Sequence, residues 1–344
     1  MKRLLIILIF LITAVSACGP DEPEVITLMS HDSFAISEET IAAFEEENGV
    51  TVELLPSGDT GAALNQAILA QDAPLADVFF GVDNTFMGRA LDAGIFEPYD
   101  SPLLAEIPDE LELDDQNRLL PVDYGDVCLN YDKAWFAEND VPLPQSLADL
   151  TDPVYEGLLV VENPATSSPG LAFLLATIVE FGEDGYLDFW ADLRANDVLV
   201  TNGWEEAYYG SFSVASDGER PLVVSYASSP PAEVIFADPP LDEAPSASLV
   251  GPGMCFRQIE FVGILAGTEH RELAEALVDF MLSETFQEDM PLNMFVYPAN
   301  ENAELPAAFV EWTQVPEETA SLPPETIDAN REQWIEAWTE VVLR

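Results

Sequence analysis

The chain has 344 residues, room for about two domains of ordinary size. Hydrophobic residues make up 48% and aromatics 10%, which excludes disordered and collagen-like classes. Lys and Arg total 11 against 64 acids, a net charge of −53, and a surface of that sign repels nucleic-acid phosphates and anionic lipid faces.

Met1-Lys2-Arg3 is a short basic head on an apolar run, 4–15, interrupted only by Thr13. The run is too short to span a bilayer and suits the core of an export signal, so a signal peptide is expected at 1–17. Small residues lead into Cys18, an arrangement that resembles a bacterial lipoprotein lipobox. It implies cleavage before Cys18, lipid on its thiol and a tether over 18–24; an ordinary signal peptide with an incidental cysteine is the alternative. No later apolar stretch reaches the length of a membrane-spanning helix. With Cys18 lipidated, Cys128 and Cys255 remain as an even pair in an oxidising compartment. A disulfide between them is expected, against a reading as two buried thiols.

From residue 25 the chain alternates strand and helix. A β-rich run at 25–29 precedes a helix at 37–47, capped by Ser37 and carrying Ile41 and Phe44 among acids. A strand at 50–55 leads through the turn 57–61 into a helix at 62–69. The third strand, 76–81, is apolar on both faces and so should be buried on both; a helix at 84–93 follows. This order predicts a parallel sheet with right-handed crossovers. Two extended runs, 122–131 and 258–265, bracket a second strand–helix set at 158–161, 170–181, 198–201 and 222–226. Helices at 269–282 and 324–343 close the chain. The expected fold class is α/β: two lobes, each a mostly parallel sheet flanked by helices, joined by two crossing strands. The outer lobe takes 25–121 and 257–305, the inner lobe 125–250, and a helical segment spans 306–344.

An α/β lobe presents ligand groups at the C-terminal ends of its strands. There the outer lobe offers His31-Asp32-Ser33-Phe34, the turn with Asp59, and Gly81-Val82-Asp83-Asn84; the first crossing run adds Asp123-Tyr124-Gly125. Each contributes a carboxylate, and carboxylates beside aromatic faces suit a flat organic cation. The inner lobe offers the opposite sign. Thr166, Ser167 and Ser168 lead into Pro169-Gly170 at a helix start, which reads equally as an anion site or a plain serine cap. Gly203-Trp204 and the 225–230 loop, with Tyr226 and Ser229, are further strand ends where an aromatic meets a hydroxyl; core packing is the alternative for each ring. No catalytic set and no metal site are expected. The two histidines are His31 and His270, no His/Cys spacing suits zinc, and no nucleophile elbow, P-loop or dinucleotide fingerprint occurs. Tyr208-Tyr209 could suggest iron(III), though such pairs usually straddle a helix surface. The many acids leave an extracellular hydrolase as one alternative class, and a surface adhesin is another.

Taken in order, several stretches resemble the substrate-binding proteins of the thiamine ABC transporter family over about 25–344. They are Asp32-Ser33-Phe34-Ala35, Ala76-Asp77-Val78, Gly81-Val82-Asp83-Asn84, Asp123-Tyr124-Gly125, Thr166-Ser167-Ser168-Pro169-Gly170-Leu171, Gly203-Trp204-Glu205-Glu206-Ala207-Tyr208, Ser225-Tyr226 with Ser229-Pro230, and Tyr297-Pro298. The resemblance implies a type II-like periplasmic-binding-protein fold without catalysis or cofactor. It implies capture of thiamine or its phosphates in an interlobe cleft, and delivery to a membrane ABC permease by a monomer anchored outside the cell membrane. By position it implies a ligand set of Asp32, Ser33, Asp59, Asp83, Asp123, Tyr124, Thr166, Ser167, Ser168, Trp204, Tyr226, Ser229, Phe295 and Tyr297. Asp32, Asp59 and Asp83 are its cleft acids. Ser167 with its neighbours, Trp204 and Tyr226 stand at the hydroxyethyl or phosphate end, and Phe295 and Tyr297 at the pyrimidine. Three departures thin the aromatic sandwich: His31 where the family often has Tyr, Ala232 where it often has an aromatic, and Phe295 where it often has Trp. They leave another cation, a polyamine or iron(III), as the alternative ligand.

Overall fold

The computed structural model describes residues 23–344 apart from 240; the expected signal peptide and Cys18 lie outside the described residues. The strands are β1 (Glu24–Ser30), β2 (Val50–Pro56), β3 (Val78–Asp83), β4 (Phe96–Glu97), β5 (Leu120–Asp132), β6 (Leu159–Glu162), β7 (Leu199–Thr201), β8 (Leu222–Tyr226), β9 (Ser246–Leu249), β10 (Phe256–Leu265) and β11 (Tyr297–Pro298). The first seven helices are α1 (Glu38–Asn48), α2 (Thr60–Leu69), α3 (Met87–Asp92), α4 (Lys133–Asn139), α5 (Ser168–Phe181), α6 (Tyr186–Ala195) and α7 (Trp204–Tyr208). Then come α8 (Pro230–Ile235), α9 (Arg271–Leu282), α10 (Glu284–Gln287), α11 (Met290–Asn293), α12 (Ala307–Trp312) and α13 (Pro324–Val342).

Local chemistry sets the helix ends. The Ser37 side chain accepts from Thr40 N at the start of α1, and Gly49 ends that helix in the left-handed region. Asp59 caps α2, and Ser167 caps α5 ahead of Pro169 in its first turn.

Eight strands run in the order β2-β1-β3-β10-β5-β8-β6-β7, with β4 on β10 and β9 and β11 on β5. β1 pairs in parallel with β2 and β3, as the alternation predicts. β3 then meets β10 antiparallel, which marks the return of the chain from the other lobe. The 13-residue β5 serves both lobes. Its first half lies against β10 and its second against β8 and β9, and Val127 pairs with both Phe256 and Tyr226 at the changeover. β6 pairs in parallel with β7 and β8. The two crossing strands are therefore β5 and β10, and the fold is the α/β two-lobe arrangement expected.

The expected disulfide is present: Cys128 and Cys255 link the crossing strands one residue beyond that changeover. Closing a loop of 127 residues restricts the unfolded chain and stabilises the fold by about 4–5 kcal/mol in the chain-entropy account. On the other side α13 packs on both lobes. Trp338 meets Trp190 of α6 edge-on at 5.5 Å, and the Arg331 guanidinium lies 5.0 Å from the ring centroid of Phe86, just before α3. Several elements escape the sequence reading, β9 and α6 among them. The small residues of β9 carry no strand propensity, and pairing with β5 makes them a strand. Helix α6 buries Phe189, Trp190 and Leu193 at helical spacing. Among the described residues no helix is long and apolar enough to cross a membrane.

Candidate functional site

A cavity of about 280 Å³ lies between the lobes at the ends of β1, β2 and β8. Its floor holds Glu260 of β10, His31 and Tyr226; its walls are Trp204, Tyr208 and Phe295; Asp32 and Glu205 stand at the mouth. No lysine or arginine lines it among the described residues. Aromatic faces and acid oxygens with no lysine or arginine make a site for a cation bearing flat rings.

Close backbone approaches shape the floor. Gly81 sits at φ 102°, and a side chain there would strike the His31 ring, so glycine is needed both for conformation and for space. Gly125 likewise makes room for the Tyr226 ring, which lies across β5 towards the cavity. On the inner wall Trp204 stacks on Tyr208 at 4.9 Å, one helical turn on, and its Nε1 donates to Ser225 Oγ at 2.9 Å. The Tyr208 hydroxyl is committed to Glu233 in the core, while Tyr209 is half exposed. Phe295 holds φ 57°, an uncommon conformation for an aromatic, in the loop that lines the outer wall.

Asp59 reaches across the cleft. Its carboxylate accepts from Thr60 N at 2.7 Å in its own lobe, and from Ser168 N at 3.2 Å and Trp204 N at 3.1 Å in the other. The starts of α5 and α7 thus receive an anion from the opposite lobe, as helix N-termini favour. Loss of water around Asp59 pushes its pKa up to about 6, against the N–H groups that favour the anion. The Ser168 hydroxyl donates to Asp83, so a second interlobe bond lies beneath the first.

Behind the floor, three strands bring three acids into one row. Glu260 is the register partner of Asp83 on β3 and of Asp123 on β5. Burial pushes all three carboxyls up, and the neighbouring acids raise Glu260 further. Asp83 has donors from Thr85, Phe86 and Ser168, whereas neither Asp123 oxygen has one. His31 Nε2 lies 3.5 Å from Glu260 Oε1. Burial holds the His31 pKa down at about 4, so this contact is not an ion pair at neutral pH. Glu162, at the end of β6, is also fully buried with neither oxygen bonded, and burial raises it.

Of the residues singled out in the sequence, Asp32, Ser33, Asp59, Ser168, Trp204, Tyr226, Ser229 and Phe295 line the cavity. Thr166 lines a second opening beside it, with Asp32, Asp59 and Glu205. The others are not at the wall. Ser167 is buried as the cap of α5, and Asp83 and Asp123 lie behind the floor. Tyr124 and Tyr297 face elsewhere: they are register partners on β5 and β11, stacked at 5.4 Å, with Arg257 over Tyr124 and held by Asp126. At the Ser168-Pro169-Gly170 helix start, expected to face the phosphate end of a ligand, the Ser168 N–H donates to the Asp59 carboxylate. Sequence reasoning missed Glu260, Glu205 and Phe236 as cavity residues. For Glu260 the signal was available: a lone acid inside the apolar run Ile259-Glu260-Phe261-Val262. Among the described residues no group of three or more His, Cys, Asp or Glu is placed to hold a metal ion.

Comparison with known proteins agrees with this geometry. Residues 73–316 match the family described as bacterial extracellular solute-binding protein. The chain is 31% identical over 324 residues to the thiamine-binding periplasmic protein of Escherichia coli (strain K12), covering 93% of this chain and 94% of that one. It is 29% identical over 351 residues to the protein of the same name in Brucella suis biovar 1 (strain 1330), covering 99% and 100%. A solved structure titled periplasmic thiamin binding protein superposes with a TM-score of 0.84 at 29% identity, covering 95% of this chain and 98% of that one. On its fold, its interlobe cavity and these matches, the chain belongs to the bacterial extracellular solute-binding protein family, whose members capture solutes outside the cytoplasm for import rather than transform them.

Proposed function

We propose that this protein is the substrate-binding component of an ABC importer for thiamine or a closely related organic cation, bound between its lobes and handed to the membrane permease. The observation that carries the reading is the cavity: aromatic walls, an acidic floor and mouth, and no lysine or arginine among its lining residues. Two full-length relatives named for thiamine support the ring system. Asp32 and Glu205 at the mouth attract the cation. Trp204 and Phe295 offer ring faces, each contact contributing about 0.5–2 kcal/mol once water is excluded. Tyr226, Ser229 and Ser33 supply hydroxyls for its polar edges.

Further parts of the reading are proposals of the same kind. The outer lobe comprises 25–121 and 257–305, the inner lobe 125–250, and 306–344 closes over both. The protein works as a monomer, and lipid on Cys18 anchors it to the outer face of the cell membrane through the tether 18–24. The cleft closes by rotation about β5 and β10.

Calorimetric titration with thiamine, its phosphates, a polyamine and iron(III) tests the ligand. Saturable heat with a thiamine compound, at stoichiometry one, is expected. Heat with the polyamine or iron(III) alone would replace the substrate while keeping the class. Mass spectrometry of the membrane fraction tests the anchor, with a diacylglyceryl adduct on Cys18 as the expected result.

A further inference from the structure

The geometry points to a proton exchange at the cavity floor: the incoming cation displaces the proton that Glu260 shares with Asp123, and the freed Glu260 carboxylate becomes its counter-charge. This rests on reading the cavity as a cation site.

Glu260 stands between Asp83 and Asp123 as register partner of both, on three adjacent strands. Directly opposed residues on paired strands lie about 4.5–5.5 Å apart between Cα atoms, and like charges so placed repel. Asp123 is fully buried, and no donor reaches either of its oxygens. Glu260 stands directly opposite it on the neighbouring strand, and two buried carboxyls so placed escape mutual repulsion only with a proton between them. Asp83 differs, since Thr85, Phe86 and Ser168 satisfy its oxygens. The proton therefore belongs to the Glu260–Asp123 pair.

The other groups facing Glu260 supply no positive charge. His31, from the loop after β1, is neutral, and its Nε2 is buried without a hydrogen-bond partner at the cavity wall. Asp59, from the turn before α2, adds negative charge, and Tyr226 of β8 is a neutral phenol. Arg257 is taken by Asp126, and Arg331 of α13 lies over Phe86. Glu260 alone of the row's three acids lines the cavity. A cation seated on that floor replaces the proton as the charge that lets the row ionise. The proton leaves to solvent through the open cleft. A neutral ligand of the same shape would gain nothing from Glu260, so this residue sets selectivity for charge.

The test pairs calorimetry with infrared spectroscopy. Thiamine is titrated into the wild-type protein at pH 7 in phosphate and in Tris, whose ionisation enthalpies differ. The expected result is release of close to one proton per thiamine, with affinity falling by up to about tenfold per pH unit on acidification. Glu260→Gln should abolish the buffer dependence and weaken thiamine by at least about tenfold. It should weaken the uncharged isostere, in which carbon replaces the quaternary nitrogen, much less than it weakens thiamine. Asp123→Asn serves as the second variant, with the same loss of proton release. In the ligand-free protein at pH 7, the infrared difference spectrum of wild type minus Glu260→Gln should show a protonated-carboxyl carbonyl component, distinct from that of buried Glu162. That component should be lost on saturation with thiamine, and wild type minus Asp123→Asn should show it as well. Equal enthalpies in the two buffers, or no thiamine-induced loss of that component, would overturn the exchange while leaving the thiamine reading intact. Failure of the wild-type protein to bind thiamine would remove the functional reading instead. In that case the ligand-free band and its loss in Glu260→Gln still decide whether the row stores a proton.

Discussion

Two carboxylate systems lie within the same cleft and behave in opposite ways. Asp59 has three backbone N–H donors, two of them from the other lobe, and joins the lobes. Glu260 at the cavity floor and Asp123 behind it have acids for neighbours, and no donor reaches either Asp123 oxygen. Water is withdrawn from both systems, and the difference is satisfaction. A carboxylate met by helix starts acts as a latch, and one met by other acids is held protonated until a positive charge arrives. Pairing Asp59 with the inner lobe also means that closure satisfies groups on both sides of the cleft.

The largest expected effect comes from breaking the latch. Asp59→Ala leaves the Ser168 and Trp204 N–H groups without their acceptor in the closed form, whereas opening the cleft lets water reach them. The cost therefore falls on closure, by about 2–4 kcal/mol, more than on folding. Small-angle scattering should show a larger radius of gyration for the ligand-free variant; an unchanged radius would mean that Asp59 does not hold the lobes together. Gly81→Ala should cost about 1–3 kcal/mol in denaturant unfolding, through the positive φ and the displaced His31 ring. It should also weaken ligand binding, since His31 forms the floor. A silent Gly81→Ala would show that the ring has room to move.

Replacing the unsatisfied acid should have the opposite sign. Asp123→Asn removes like-charge repulsion and is expected to raise ligand-free stability at pH 8 by about 1–2 kcal/mol. Asp59→Asn, by contrast, is expected to lower it. If both variants move the unfolding midpoint in the same direction, the contrast between latch and row is wrong. The smallest effect is the pH dependence of the ligand-free protein. Asp59 and Glu233, raised to about 6 and about 7, stabilise the fold below the ordinary carboxylate range and lose that contribution as pH rises through those values. Asp123 and Glu260 add to the same trend. His31, held down near 4, works the other way, losing its contribution as pH falls from its ordinary value. With one histidine against several acids, the melting temperature should fall between pH 5.5 and pH 8. A rise over that interval would contradict the assignment of buried protons.

Much of this was legible in the sequence. The alternation of strands and helices from Val25 to Ala93 gave the outer sheet, and the separated runs around Val127 and Phe261 gave the crossing strands. Cysteine arithmetic gave the disulfide. Strand-end loops brought Asp32, Asp59, Ser168, Trp204 and Tyr226 to one cavity because α/β strands deliver their following loops to one edge. What stayed hidden depends on cross-strand register. Nothing local shows that Glu260 lands between Asp83 and Asp123, or that Tyr124 and Tyr297 are absorbed by a stack with Arg257. Small-residue β9 is a strand only because β5 is there to pair with it.

The most direct measurement is a structure of the protein crystallised with saturating thiamine. The account predicts one flat ligand between Trp204 and Phe295, its charged ring above Glu260, with the lobes closed over it. An empty cavity, or a ligand seated elsewhere with Glu260 uncovered, would contradict it.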